Sequence, residues 1–289
     1  MNGVPSTDST TWLKALLELA EMDCLPQCNP FDEYRIDSSY KGHSPHKQEI
    51  RHIYPAGKPT RTSPNSDLIL LASRPGVGRR TLSLSIAANE VARHRHVAFF
   101  SLAADSAEIN RILNNVNLSA SNEFFHIDEA ADYGIIEIAS RARTLKREGK
   151  LDLLIIDDLR AIKQGKEEKC SNVHNAILRG LKALASELQI RVIVLEQLGS
   201  KFKGEEYARP QFQELRKLGN IEHEVDTVWL LERKFIRTHC EEDRYSAEVI
   251  VVNPQNGSEN VVPITYESEC RIFSGVDQIS HGPSEMSFG

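Results

Sequence analysis

No stretch of this 289-residue sequence holds the roughly 18 consecutive apolar residues that a membrane-spanning helix requires. The first ten residues, MNGVPSTDST, also lack the basic segment and the apolar core of a secretory signal. These absences argue against a membrane protein and a secreted one. We therefore expect a cytoplasmic location and no membrane partner.

Cysteine is scarce as well. The five cysteines are odd in number and scattered: Cys24, Cys28, Cys170, Cys240 and Cys270. This pattern favours reduced thiols over a disulfide framework. The first two, followed by His43 and His46, approach a zinc-binding pattern. The histidine spacing is shorter than usual and proline-rich linkers collect such residues by chance, so we expect no zinc.

The sequence also lacks an excess of basic charge, because its formal net charge is −6. This excludes a surface that is basic all over. Any contact with nucleic acid must then be local, in a loop or a channel lining.

Two regions differ in character. Residues 10–22, TTWLKALLELAEM, are amphipathic at helical spacing, and the polar, proline-rich residues 24–66 predict an irregular linker. From residue 67 onward, apolar runs alternate with helical patterns. We therefore divide the chain into a helix plus linker at 1–66, one domain at 67–275 and a flexible tail at 276–289.

The pattern of residues 67–275 predicts an α/β fold. Strands are predicted at 67–72, 96–102, 124–128, 151–158 and 190–198, and helices at 81–95, 105–116, 133–148 and 171–188. Continuous apolar strands that alternate with helices predict a mostly parallel sheet covered on both faces, with ligands at the carboxyl ends of its strands. Strands at 226–232, 247–253 and 260–266 without intervening helices, with a hairpin signal at Asn256-Gly257, predict an antiparallel extension.

The stretch ASRPGVGRRT, residues 72–81, lies between a strand and a helix, where a phosphate-binding loop would lie. The P-loop pattern requires glycine, four residues, glycine, a lysine that reaches the phosphates, and a hydroxyl that holds magnesium. In that register the chain has Ser73, Gly78, Arg79 and Arg80, and Thr81 comes one residue late. An arginine can pair with phosphate but does not replace a lysine ammonium geometrically. The alternative is a Gly/Pro turn with surface arginines.

Four segments in order carry a resemblance to a known family. They are residues 72–81, LKALASELQIRVIVLEQL at 181–198, ELRKLGNIEHEVDTVWLLER at 214–233 and AEVIVVNPQNG at 247–257. From about residue 67 to residue 273 the chain resembles the RecA-type motor domain of DnaB-like replicative helicases. The resemblance implies a RecA-like P-loop NTPase fold and ATP with magnesium as ligands. Residues 1–66 do not resemble the collar domain of that family.

Carried over position by position, the resemblance implies a nucleotide site that is only partly retained. The implied nucleotide-binding residues are Ser73, Gly76, Gly78, Arg79, Arg80, Thr81, Asp157 and Gln197. Asp157 matches the acid that orients magnesium once a nucleotide binds, and Gln197 matches the sensor of the γ-phosphate. Ala103 stands where the family has its catalytic glutamate, and an alanine cannot accept a proton. Asn253 and Gln255 stand where the family has the lysine and arginine finger of the neighbouring subunit.

The resemblance also implies contacts with DNA and with other subunits. Loops at 159–170 and 198–210 correspond to channel loops that bind single-stranded DNA, with Lys201, Lys203 and Arg209 as phosphate ligands and Phe202 for stacking. Nearby glutamates dilute this charge, so a solvated loop is an equal alternative. The apolar stripe of residues 10–22 would dock on an adjacent subunit or pack on its own domain. Its members are Trp12, Leu13, Leu16, Leu17 and Leu19.

Three functions are compatible with these residues. The first is a DnaB-like protein of DNA replication with lost or strongly impaired ATP hydrolysis. It would bind a replicative helicase or other replication protein, its own copies in an oligomer or ring, or single-stranded DNA. The second is an active ATP-dependent helicase with an atypical P-loop, which a glutamate near Ala103, supplied by Glu108 or Glu196, would favour. The third is a RecA-like regulatory module that does not act on DNA.

Overall fold

The computed structural model describes residues 66–102, 106–129, 133–163, 173–199 and 208–275, and the backbone alone of residues 201–202 and 205–206. Several sequence predictions fall outside these residues. They are the helix at 10–22 with its apolar stripe, the linker up to residue 65, the cysteine and histidine pattern, and the tail at 276–289. These remain predictions.

The strands, numbered along the chain, are β1 (Leu68–Ser73), β2 (Val97–Ser101), β3 (Phe125–Glu129), β4 (Leu153–Asp157), β5 (Arg191–Gln197), β6 (Lys201–Phe202), β7 (Glu205–Glu206), β8 (Thr227–Glu232), β9 (Ser246–Val252), β10 (Glu259–Glu267) and β11 (Ile272–Gly275). Nine of them form one sheet in the order β11-β10-β9-β8-β1-β5-β4-β2-β3, and β6 pairs with β7 separately. Pairing is parallel from β3 across to β8 and antiparallel from β8 to β11. The predicted α/β fold with an antiparallel extension is confirmed.

The helices are α1 (Arg79–Val91), α2 (Ser106–Asn115), α3 (Ile135–Arg147), α4 (Val173–Leu188) and α5 (Lys234–Thr238). Shorter 3-10 turns span Leu159–Ala161, Phe212–Leu218, Ile221–His223 and Glu241–Asp243. Helix α1 ends four residues before the predicted position. The chain turns there because His94 takes a positive φ of 59° and the Arg95 amide bonds back to the Glu90 carbonyl.

Both faces of the sheet are buried, as continuous apolar strands require. On one face, alternate strand residues such as Ile69, Phe99 and Ile155 form a core with α1 and α2. The residues between them, such as Leu70 and Leu154, are fully buried outside that core. They face the opposite side, where α4 lies against β1 and β5 and α3 packs on α4.

The carboxyl-terminal part departs from the prediction in three ways. Strand β8 was predicted to belong to the antiparallel extension, but it lies beside β1 in the buried middle of the sheet and pairs with it in parallel. Only the other edge of β8 forms an antiparallel pair, with β9. The short helix α5 intervenes between β8 and β9. Strand β11 was not predicted, because four residues without a long apolar run give little local signal. The hairpin at Asn256-Gly257 is confirmed, with Gly257 at a φ of 68°.

Candidate nucleotide site

Four strands of the parallel part end at the same edge of the sheet. Their last residues are Ser73, Ser101, Asp157 and Gln197. The loop from Arg74 to Gly78 leaves the end of β1 at this edge and leads into α1. Because parallel α/β sheets bind ligands beyond the carboxyl ends of their strands, this edge is the candidate site.

Two glycines shape the loop. Gly76 has a φ of 75° and Gly78 a φ of 112°, both in the left-handed region that glycine adopts readily. Gly78 is also the N-cap of α1 and has no side chain to cap it. The first backbone N–H groups of a helix have no intrahelical partner, and together with the helix dipole they attract anions. The loop therefore has the backbone features of a phosphate cradle.

Arg74 and Ser73 serve to anchor this loop. Arg74 is 2% exposed and forms a two-pronged ion pair with Glu214, with both nitrogen–oxygen distances at 2.9 Å. Its guanidinium also donates to the carbonyls of Gly199 and Ala208. The buried hydroxyl of Ser73 donates to the carbonyl of Arg74 at 3.0 Å. Both side chains are thus engaged with the protein itself.

Arg79, at the lysine position of the P-loop pattern, bonds across the site. Its Nη1 donates to Oε1 of Gln197 at 3.1 Å, and its Nη2 lies 3.5 Å from Oδ2 of Asp158. Its side chain is 12% exposed. The structure thus brings Arg79 and Gln197, both predicted site residues, into contact.

Arg80, at the hydroxyl position, bonds to two carboxylates. Its Nε donates to Oδ2 of Asp157 and its Nη1 donates to Oε2 of Glu108 at 2.7 Å. Burial by itself would lower the pKa of Arg80, but the hydrogen bonds and charges of Asp157 and Glu108 raise it above the ordinary value. The guanidinium is therefore a fixed positive charge at the sequence position where the P-loop pattern has its metal-binding hydroxyl.

Asp157 is fully buried at the end of β4. Burial raises its pKa above the ordinary value, and the neighbouring Arg80 opposes that rise. Its second oxygen, Oδ1, has no hydrogen-bond partner among the described residues. The same holds for the buried hydroxyl of Ser101, which is paired with Asp157 in the register of β2 and β4. This end of the sheet therefore keeps polar atoms that a ligand or its water could satisfy.

A second acid, Glu196, lies in β5 beside Gln197. It is 1% exposed, and burial raises its pKa to about 7, against the opposing charge of Arg160. Arg160 contacts the Glu196 carboxylate and donates to the carbonyl of Gln197 at 2.7 Å. Glu196 is therefore partly protonated near neutral pH.

The side chains present do not fit a magnesium ion as the P-loop pattern would hold it. The hydroxyl position is Arg80, whose guanidinium is bonded to the carboxylate that would orient the metal. Within the described part of the chain, no three histidine, cysteine, aspartate or glutamate side chains are grouped so that they could hold a metal ion. The loop backbone and the two guanidinium groups are, in contrast, donors of the kind from which phosphate accepts hydrogen bonds.

Other predicted site residues are not gathered here. Thr81 is the third residue of α1, one step past the hydroxyl position. Ala103 and Lys203 lie outside the described residues, and only the backbone of Lys201 and Phe202 is described, in β6. Arg209 forms ion pairs with Glu232 at 3.0 Å and Glu248 at 3.1 Å, so neighbouring carboxylates balance its charge. Its contact with DNA remains a prediction.

Sequence reasoning missed three contributors to the site. Asp158 follows Asp157 directly, and the paired acids after a buried strand were a usable signal. Arg74 and Arg160 were not found, because their carboxylate partners lie elsewhere in the chain. Glu214 is 140 positions from Arg74, and no local pattern reports such a pair.

Among the described residues, no helix combines the length and apolarity that crossing a membrane requires.

Comparison with known proteins places this chain in a family. Residues 104–275 match the family described as the DnaB-like helicase C terminal domain. The replicative DNA helicase DnaB of Geobacillus stearothermophilus is 30% identical over 242 residues, which cover 74% of this chain and 53% of that protein. The chain thus spans about half the length of the curated relatives it matches.

Solved structures agree in fold. One solved ATPase domain has a TM-score of 0.66 at 24% identity, over 73% of this chain and 85% of that one. A DnaB-like replicative helicase, solved for its interactions with primase, also has a TM-score of 0.66 at 24% identity, over 74% of this chain and 58% of that one. With a family match over more than half of its residues and a 30% identical relative aligned to 74% of it, this chain belongs to the DnaB-like helicase C-terminal domain family.

Proposed function

We propose that this chain is a DnaB-type domain with strongly impaired ATP hydrolysis, which acts in DNA replication through binding. Its partners would be a replicative helicase or another replication protein, its own copies, or single-stranded DNA. The observation that carries the proposal is the bond between the Arg80 guanidinium and the Asp157 carboxylate.

That bond bears directly on phosphoryl transfer. In P-loop ATPases the loop hydroxyl and an acid at a strand end would hold the metal, which would neutralise negative charge during phosphoryl transfer. Here the guanidinium of Arg80 is bonded to the carboxylate of Asp157, which is that acid. Arg80 also has no hydroxyl with which to hold a metal ion. A divalent cation would have to displace a like charge from a buried ion pair to reach Asp157. This displacement opposes metal-dependent catalysis.

Activation of the attacking water is weakened in the same way. Ala103 offers no proton acceptor at the position that the family pattern assigns to glutamate. Glu108 reaches the site from the first turn of α2, but its carboxylate is 2.7 Å from a guanidinium nitrogen of Arg80. This carboxylate must therefore leave Arg80 before it can accept a proton from water.

The turn between β9 and β10 supplies no cation at the two positions that correspond to the finger residues. Oδ1 of Asn253 accepts the backbone N–H of Gln255 at 3.0 Å, so these residues help to form the turn. An arginine finger contributes roughly 10³ to 10⁵ in rate. The uncharged residues Asn253 and Gln255 at these positions therefore support a large loss of ATP turnover, even if a nucleotide binds.

One observation favours the second candidate, an active ATP-dependent helicase. The Glu108 side chain is 43% exposed and lies at the loop, so it could leave Arg80 and accept a proton from water. In that case Arg79 or Arg80 would serve in place of the P-loop lysine. A regulatory module that does not act on DNA is the third candidate, and a lack of any DNA binding would favour it.

The relatives suggest which partners to test. They are named as replicative DNA helicases, and one solved relative is described with its interactions with primase. A replicative helicase, a primase and single-stranded DNA are therefore the first candidates.

The test measures nucleotide binding and hydrolysis on one purified sample of the full chain. A fluorescent ATP analogue reports binding, and phosphate release is assayed with and without single-stranded DNA. Asp157→Ala removes the acid at the carboxyl end of β4. Asp152→Ala is the matched control, because Asp152 is exposed, directly precedes the other end of the same strand and, among the described residues, accepts only a backbone hydrogen bond from His96.

We expect no DNA-stimulated phosphate release from the unmodified chain or from either variant. Release that DNA stimulates, that Asp157→Ala abolishes and that Asp152→Ala preserves would overturn the proposal and establish the active helicase. Sedimentation of the chain alone, with a replicative helicase and with single-stranded DNA then identifies the partner.

A further inference from the structure

Arg80 stands at the sequence position where the P-loop pattern has the hydroxyl that holds a divalent cation. It extends from the first turn of α1, it is bonded to the buried carboxylate of Asp157, and its side chain is 17% exposed. The two acidic partners raise the pKa of a guanidinium that is already charged at neutral pH. The site therefore carries its own fixed cation.

We propose that Arg80 replaces the metal ion, so that this site binds the triphosphate chain of a nucleotide without magnesium. The inference rests on the proposed function in taking a nucleotide as the ligand. Arg79 and Arg80 would each present N–H groups to phosphate oxygens, and the amides that follow Gly78 would complete the cradle.

The neighbouring side chains are compatible with such an exchange. A guanidinium has five N–H donors, and Asp157 and Glu108 engage only Nε and Nη1 of Arg80. Glu108 is the more exposed partner, so a phosphate can displace it into water while the buried Asp157 continues to hold Arg80. Arg79 can likewise exchange Asp158, at 3.5 Å, for a phosphate oxygen.

A second observation, independent of the helix end, points to a ligand here. Oδ1 of Asp157 is buried and has no partner among the described residues, although Oδ2 of the same carboxylate bonds to Arg80. A buried acceptor without a partner is destabilising, and because a triphosphate chain has no donor to offer, the donor to Oδ1 would be a water that also donates to a phosphate oxygen.

The experiment titrates a fluorescent N-methylanthraniloyl derivative of ATP into the full chain, once with EDTA and once with magnesium. We expect the two dissociation constants to agree within about twofold, which is a small free-energy difference. Inorganic triphosphate should displace the probe and adenosine should not, because the phosphates carry the binding. Binding that requires magnesium, or no binding in EDTA, would overturn the inference.

Replacing the guanidinium of Arg80 by a hydroxyl tests the role of Arg80 directly. Arg80→Thr removes the guanidinium and restores the hydroxyl of the P-loop pattern. Loss of a charge-assisted bond should weaken binding in EDTA by about tenfold or more, and magnesium should recover about tenfold. Arg111→Thr, at an exposed arginine of α2, is the control and should change neither value. Equal binding by Arg80→Thr and the unmodified chain in EDTA would refute the assignment.

Two further variants keep the test decisive if Arg80→Thr does not fold, which circular dichroism would show. Arg80→Lys keeps a positive charge and should still bind the probe in EDTA. Glu108→Gln removes the competing carboxylate and should tighten binding in EDTA, whereas Glu269→Gln, on an exposed turn, should not. A requirement for magnesium in Arg80→Lys, or no change in Glu108→Gln, counts against the inference.

Failure of this inference is distinguishable from failure of the proposed function. Binding that needs magnesium without any phosphate release refutes only the metal-free site. DNA-stimulated phosphate release refutes the impaired hydrolysis, whatever the metal requirement of binding.

Discussion

The buried acid Glu196 should make the stability of this protein depend on pH, and Glu196→Gln should remove that dependence. Glu196 is 1% exposed in β5, and burial raises its pKa from 4.5 to about 7. Glutamine is close to glutamic acid in shape and cannot ionise. The substitution therefore isolates the ionisation from the packing.

The sign follows from proton binding. Between pH 4.5 and about 7 the folded state binds more protons at Glu196 than the unfolded state does, so the free energy of unfolding falls as pH rises. The stability that proton binding at Glu196 adds to the folded state is fully present below pH 4.5 and is lost as pH rises through about 7. The difference between the two pKa values, 4.5 and about 7, corresponds to about 3 kcal/mol at most.

Urea unfolding at about pH 5 and about pH 8 measures this change in the unmodified chain, in Glu196→Gln and in the exposed control Glu269→Gln. We expect Glu196→Gln to be more stable than the unmodified chain by up to about 3 kcal/mol at the higher pH, with little difference at the lower pH. Arg160→Ala should move the transition to higher pH, because the charge of Arg160 lowers the pKa of Glu196. An unchanged pH dependence in Glu196→Gln would refute the reasoning.

Two more predictions concern the loop. Arg74→Met should destabilise the protein by about 3–5 kcal/mol because it leaves the Glu214 carboxylate buried without its partner, and adding Glu214→Leu should recover most of that loss. Urea unfolding measures both, and a loss below about 1 kcal/mol in the single variant would contradict a structural role for the pair. Gly78→Ala should destabilise more than Gly76→Ala, because its Cβ would lie 3.1 Å from the Phe273 ring, whereas a Cβ at Gly76 meets nothing within 4 Å. Equal thermal shifts in these two variants would contradict that contact.

Much of the fold could be predicted from local pattern. Apolar runs indicated β1, β2, β4 and β5, because strands buried on both faces need apolar side chains at every position. Strand β11 and the short helix α5 are too brief to give such a signal. The parallel pairing of β8 with β1 was also missed, because the sequence of one strand does not indicate which distant strand will lie beside it.

The candidate site, like the fold, could be predicted only in part. Positions counted from the loop and the strand ends led to Arg79, Arg80, Asp157 and Gln197, and the structure brings these four side chains to one edge of the sheet. That the guanidinium of Arg80 would lie between Asp157 and Glu108 could not be read from their order in the chain.

The sequence by itself determined which residues stand at the phosphate loop and at the strand ends, because local hydrophobic pattern and motif register depend only on neighbours in the chain. The tertiary structure alone decided how their charges combine. An ion pair depends on distance and burial in space, and Arg74 and Glu214, 140 positions apart, meet only after the sheet has formed. The same folding places Arg80 on the carboxylate of Asp157 and so sets the chemistry that the loop can offer.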